Sequence, residues 1–253
     1  MEIQTAKGVK DLPPEEKILK NKVVSTITQY FELYGFAPLE TPILERFETL
    51  AAKYGAGTES DALKETFKLS DQGGRQLGLR FEFTTSLARY VAQNSSLKMP
   101  FKVYQAGSVF RDGPIKAGRE REFWQADADT VGASSMLAEA ELIALLCNVF
   151  QQLQFKFVVK VNNRKLVNGI LIQSGITTKQ KEVMIAIDKL DKIGNVGVGE
   201  ELKRLGFDKR QITKLIGFLS TKYALSSLSK VITAPEGEVG VAELKELFSY
   251  LKA

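Results

Sequence analysis

Apolar positions recur at near-helical spacing through Ile18, Val23, Val24, Ile27, Tyr30 and Phe31, which predicts a core-packing helix over residues 14–34. Pro14, Glu15 and Glu16 suit its first turn, and Gly35 can supply the left-handed residue that ends it. Residues 36–45 change to an extended pattern, which Pro38 and Pro42 confine to a sheet edge or an interface. Two alternating runs joined by an Asp/Gly-rich turn predict a β-hairpin over 66–84, with Arg80, Glu82 and Thr84 on one face by alternation. A short helix over 85–94, a strand over 101–110 and a return strand over 122–131 follow, the last carrying Gln125, Asp127 and Asp129 on one face. Residues 138–154 read as an amphipathic or largely buried helix, and 155–162, rich in β-branched and aromatic side chains, as a further strand.

From Arg164 the texture changes to short helices with basic faces, broken at Gly175, between Gly194 and Gly199, and at Gly206. Residues 234–240 read as a linker and 241–251 as a final helix. Strands joined by hairpins rather than crossovers imply an α+β fold, an antiparallel sheet with flanking helices beside a small helical domain.

Composition narrows the chemistry. A chain of 253 residues with 44% hydrophobic residues can build one large core or two small ones. Its N-terminal segment is polar and Pro-containing, with no apolar run of membrane-span length, so a cytoplasmic location is expected. The single cysteine, Cys147, precludes an intrachain disulfide and reads as a packed thiol. With no histidine at all, Ser-His and Cys-His nucleophile pairs and imidazole zinc sites are excluded, leaving carboxylates, Arg, Lys or a bound metal. The net charge of +5 is modest, but residues 169–222 hold ten Lys/Arg against six Asp/Glu, which suits a polyanion partner. Asp188-Lys189-Leu190-Asp191-Lys192 within it reads either as an RNA-facing patch or as a solvated helix face. No Gly-x-x-x-x-Gly-Lys-Ser/Thr loop is present, so any nucleotide is held in another way.

The stretch from Val109 to Gln125 concentrates the candidate chemistry. A strand ends in Arg111, a turn containing Gly113, Pro114 and Gly118 follows, and Arg119 and Arg121 lead back through Phe123 and Trp124. Three guanidiniums on one hairpin form either an anion site, because each offers a planar fork of donors, or a solvated loop.

The run Arg119-Glu120-Arg121-Glu122-Phe123-Trp124-Gln125-Ala126-Asp127-Ala128-Asp129, following Val109-Phe110-Arg111, resembles motif 2 of class II aminoacyl-tRNA synthetases. Within that class it is similar to the histidyl-tRNA synthetases of archaeal and eukaryotic type. Further blocks in the same order are Lys7-Gly8-Val9-Lys10-Asp11, Glu40-Thr41-Pro42 as motif 1, Leu79-Arg80-Phe81-Glu82-Phe83-Thr84 and Lys160-Val161-Asn162-Asn163-Arg164. The resemblance implies a catalytic core over 1–168, and over 169–253 a helical insertion approaching tRNA and the start of a return to the core. It implies ATP-dependent joining of histidine to tRNA through an adenylate, with Mg²⁺ assisting and no protein metal-ligand set. Arg111 would be the catalytic residue at the α-phosphate, with Arg119 and Arg121 covering ATP. Glu82, Thr84, Gln125 and Asp129 would hold the α-amino group of histidine, and Pro42 would lie at a homodimer interface. The family's histidine-recognition block and motif 3 normally come after the last residue here, Ala253, so the chain is expected to be a fragment, truncated or one part of a split enzyme, that forms no adenylate alone. Two other readings remain at this point: a non-catalytic regulatory subunit of ATP phosphoribosyltransferase with the same fold, and a tRNA-binding module.

Overall fold

The computed structural model describes residues 3–53 and 61–252. They form two compact units, one ending at Phe157 and the other beginning at Val158. The change of texture along the sequence falls a few residues later, at Arg164, and the family resemblance implies a division later still, at 168/169.

In the first unit, α1 (Pro14–Leu33) starts on Pro14 with Glu15 and Glu16 in its first turn, where the orphaned amides favour negative charge. It ends where expected, with Gly35 at φ +78°. Phe31 and Phe36 at its C-terminal end pack with Tyr104, Leu145 and Val149 into a buried cluster. The chain then gives β1 (Ala37–Pro38), β2 (Leu44–Arg46), the short helices α2 (Phe47–Ala52) and α3 (Asp61–Lys64), β3 (Lys68–Ser70) and β4 (Gln76–Leu79). After α4 (Thr84–Gln93) come the two long strands, β5 (Phe101–Phe110) and β6 (Glu122–Val131), and then α5 (Met136–Gln152).

Two sheets result. One has the order β1-β5-β6, with β1 parallel and β6 antiparallel to β5. The other has the order β2-β4-β3 and is antiparallel throughout. Pro38 sits in the edge strand β1, where its missing N–H costs no ladder bond. The β5–β6 ladder runs in unbroken register from Phe101↔Val131 to Phe110↔Glu122, as the alternation predicted.

The hairpin expected over 66–84 forms as β3 and β4, but its second strand ends early, and one other expected strand is absent. The ladder of β4 stops at Leu79, so residues 80–83 turn away and Glu82 and Thr84 do not share a strand face. Residues 155–162 carry strand-like composition yet form no strand, because no described segment pairs with them. Phe157 instead packs edge-on against Phe150, and Phe155 and Val158 are exposed.

The second unit is helical: α6 (Arg164–Gln173), α7 (Gln180–Asp188), α8 (Leu190–Arg204), α9 (Lys209–Ser220), α10 (Leu225–Val231) and α11 (Pro235–Tyr250). Leu171, Ile176, Val183, Val198, Leu202 and Leu215 are fully buried at its centre. Breaks fall at Gly175 and Gly206, while between Gly194 and Gly199 only Gly194 is non-helical and kinks α8. Asp208 starts α9 with a reciprocal cap, accepting from the Gln211 amide at 2.8 Å while its own amide donates to the Gln211 side chain at 3.0 Å. The expected linker at 234–240 is instead the first turns of α11. Pro235 begins that helix, and Gly237 and Gly240 are there because α6 crosses so closely that a Cβ on Gly240 would lie 2.3 Å from the Leu166 nitrogen.

Candidate active site

Alternation along β6 turns Gln125, Asp127 and Asp129 to one face, opposite Gly107, Gln105 and Val103 of β5. The turn between β4 and α4 lies over this face. It is pinned by Arg80, which is buried, stacks on the Phe83 ring, and donates from Nε to the Ser108 carbonyl at 2.8 Å and from Nη1 to the Thr41 carbonyl at 2.9 Å. Glycine at 107 leaves room for this arrangement, since a Cβ there would lie 2.8 Å from Arg80 Nη2 and push the guanidinium aside. Buried Gln105 closes the floor, accepting from Thr41 at 2.7 Å and donating to the Phe83 carbonyl at 3.5 Å.

The same turn delivers Glu82 to the N-terminus of α4. Its carboxylate accepts from the Thr84 amide at 2.6 Å, the Thr85 amide at 2.9 Å and the Thr85 hydroxyl. Burial pushes this carboxyl up, but the bonds from Thr85 and Thr84 and the Lys53 ammonium 3.5 Å away outweigh it and hold it below the ordinary value. Thr84 thus joins the site through its backbone amide, and its side chain is exposed.

Asp127 and Asp129 behave oppositely. Burial raises both, Asp127 and Glu82 push Asp129 further, and for Asp127 the Glu82 charge adds to burial against the Gln125 bond, Arg111 and Lys53. Three half-buried or buried carboxylates therefore share one face and repel one another. Lys53 shows what relieves them, since its ammonium already sits against Glu82.

At the turn end of the hairpin, Arg111 lies between two rings, 4.4 Å from the centroid of Phe81 and 4.8 Å from that of Phe123. Its Nε donates to the Phe81 carbonyl at 3.4 Å and its backbone amide to the Arg121 carbonyl at 2.8 Å. The other two arginines are paired: Arg119 with Glu65 at 2.9 Å and Arg121 with Asp112 at 3.0 Å. Arg121 Nε is buried without a hydrogen-bond partner among the described residues. The N-terminal segment crosses here, Gly8 accepting from the Arg121 amide at 2.8 Å. Pro42 lies elsewhere, exposed beside Ile43 and Leu44, which are 44% and 52% exposed.

The structure thus brings Glu82, Gln125 and Asp129 to one wall and Arg111 beside it, while Arg119 and Arg121 occupy the turn. Asp127, although on the predicted face, was missing from the expected site. Lys53 and Glu65 were missed as well, and nothing local in the sequence marks them. Among the described residues no group of three acidic, Cys or His side chains is placed to hold a metal ion.

The repulsion at Asp129 has a measurable consequence. A carboxyl whose folded pKa lies above its unfolded value stabilises the fold below the unfolded value, and that contribution is lost as pH rises through the folded one. Asp129→Asn is therefore expected to raise the melting temperature at neutral pH, with the advantage vanishing below about pH 4. Thermal melts across pH check it, and a variant no more stable than the parent at pH 7 would refute the burial argument.

Residues 8–253 match the family described as "Histidyl-tRNA synthetase". Histidine–tRNA ligase 1 of Bacillus cereus is 42% identical over 256 residues, covering 100% of this chain and 60% of the relative. The histidine–tRNA ligase of Wolinella succinogenes is 36% identical, covering 98% of this chain and 58% of the relative. Among solved structures, histidyl-tRNA synthetase from Nostoc superposes with a TM-score of 0.85 at 30% identity, over 100% of this chain and 58% of that one. An "ATP phosphoribosyltransferase regulatory subunit/histidyl-tRNA synthetase" from Bacillus halodurans gives 0.83 at 25% identity, over 99% and 64%. The chain spans 58% to 60% of the length of these two curated relatives. All four are bacterial proteins, so they carry the family without the archaeal and eukaryotic subtype to which the motifs pointed.

Proposed function

The chain belongs to the histidyl-tRNA synthetase family, and from that premise we propose that it carries the ATP clamp and the amine-holding wall of a histidine–tRNA ligase. The observation behind this reading is a site shaped for a zwitterion. Glu82, Asp127 and Asp129 form an anionic wall, and Arg111 is near enough to act on Asp127, so an α-amino acid finds charges of both signs on this face.

In the proposed reaction a histidine carboxylate oxygen attacks the α-phosphorus of ATP, pyrophosphate leaves, and the terminal ribose hydroxyl of tRNA then displaces AMP. Glu82, Gln125, Asp129 and the Thr84 segment hold the ammonium. Arg111 bridges the carboxylate and the α-phosphate, neutralising charge that builds as the bond forms. Arg119 and Arg121 exchange Glu65 and Asp112 for the outer phosphates of ATP. Mg²⁺ supplies Lewis-acid neutralisation when bound. Among the described residues no group of three acidic, Cys or His side chains is placed to hold it, and it would enter with the ATP it neutralises. The basic excess in 169–222 is assigned to tRNA, and exposed Pro42, Ile43 and Leu44 to a homodimer contact. A cytoplasmic location belongs to the same proposal, and no described helix is long and apolar enough to cross a membrane.

The test is binding of ATP, histidine and tRNA to the purified chain, followed by histidine-dependent exchange of pyrophosphate into ATP with the chain alone and with the rest of the Bacillus cereus relative added. All three ligands should bind, and exchange should need the addition. Binding of tRNA alone would replace this reading by an RNA-binding module. Binding of neither ATP nor tRNA would favour the regulatory-subunit reading suggested by the Bacillus halodurans neighbour.

A further inference from the structure

The Gln125 amide donates from Nε2 to both carboxylate oxygens of Asp127, at 2.9 and 2.8 Å. We infer that Asp127 is a positioning residue: it holds the Gln125 amide so that Oε1, and not the N–H donors, meets an incoming ammonium. The inference rests on the amine-site reading of this face and adds to it a residue that touches no substrate atom.

An amide side chain has two ends of almost the same shape, and only the oxygen end stabilises a cation. A free Gln would present either, and the wrong end would set N–H groups against the ammonium. Residues two apart on a strand share a face, so Asp127 is the neighbour able to engage the donor end of Gln125. The other amide nearby does not compete. Gln105, opposite Asp127, spends its oxygen on Thr41 and its nitrogen on the Phe83 carbonyl. The groups bearing on Asp127 also argue for a role. Glu82 and Asp129 repel it, Arg111 and Lys53 partly offset them, and no basic side chain among the described residues forms a direct ion pair with it. A third carboxylate kept in such surroundings is costly to the empty fold, and that cost is repaid once a cation arrives.

The experiment uses the ¹⁵N-labelled chain. The side-chain amide signal of Gln125, identified by its loss in Gln125→Glu, should lie away from the position of a free glutamine amide. It should collapse to that position in Asp127→Asn and persist in Asp127→Glu. By calorimetry, Asp127→Asn should weaken L-histidine binding by about tenfold, the scale of one hydrogen bond to a charged group. Imidazole propionate, which lacks the amine, should be insensitive to the change. A Gln125 signal unmoved in Asp127→Asn, or unchanged histidine affinity, overturns the positioning role. Absence of histidine binding in the parent chain, with the amide signal still governed by Asp127, overturns the amine-site reading and with it the purpose given to Asp127, while its hold on Gln125 stands.

Discussion

Gly240→Ala is expected to destabilise the C-terminal helical unit by about 3 kcal/mol or more, although alanine is the better helix former by about 1 kcal/mol. The added Cβ would fall 2.3 Å from the Leu166 nitrogen, 2.7 Å from Asn163 Oδ1 and 2.9 Å from Leu166 Cα. Two of these are backbone atoms, so no rotamer change relieves the contact and the start of α6 must move. That start depends on Asn163, whose Oδ1 accepts from the Lys165 amide at 2.8 Å and whose Nδ2 donates to Glu243 of α11 at 2.7 Å. Displacing it removes a cap worth about 1 kcal/mol in addition to the strain. Gly217→Ala is the control: Gly217 is an exposed position of α9 with nothing within 4 Å of its would-be Cβ, and there alanine should stabilise by up to about 1 kcal/mol. Hydrogen exchange at α6 and α11 amides, with β5 and β6 as reference, reads both outcomes. Protection of α6 undiminished in Gly240→Ala would show that the crossing is looser than the geometry requires.

The same glycines mark where sequence pattern stops being informative. β5 and β6 were readable almost to the residue because they follow one another in the chain, joined by residues 111–121, and period-two alternation persists through the ladder. Alternation alone therefore marks the wall of Gln125, Asp127 and Asp129. It does not say where a ladder ends, however. Leu79 to Thr84 kept the pattern while the backbone had already turned, so Glu82 reached the site as a helix-terminal carboxylate rather than a strand residue. Residues 155–162 have strand propensity but no partner, and propensity alone makes no hydrogen bonds. Gly237 and Gly240 looked like linker glycines because their cause, the approach of α6, lies far off in the chain. Glu65 illustrates this for the site: it pairs with Arg119 across 54 residues, a separation at which no spacing rule operates.

Arg111→Ala is expected to weaken ATP binding by about a hundredfold or more, the scale of losing a bidentate charge-assisted contact to phosphate, while leaving the fold intact. The guanidinium is oriented before any ligand arrives: two aromatic rings fix its plane, and Nε is engaged with the Phe81 carbonyl. Among the described residues no hydrogen bond or ion pair occupies its Nη atoms, which leaves that edge of the fork for an anion. Arg119 and Arg121 differ in this respect, because each must give up a carboxylate before it can turn to phosphate. Substituting either should therefore cost less than substituting Arg111, the ligand bond gained being offset by the ion pair broken. Arg111→Lys should fall close to Arg111→Ala, since a point ammonium neither stacks between Phe81 and Phe123 nor offers two parallel donors. Calorimetric titration of ATP into the parent chain and these variants distinguishes the cases. Equal losses at positions 111, 119 and 121 would mean that preorganisation by the two rings contributes nothing. Unchanged affinity in Arg111→Ala would remove the phosphate clamp from the site altogether.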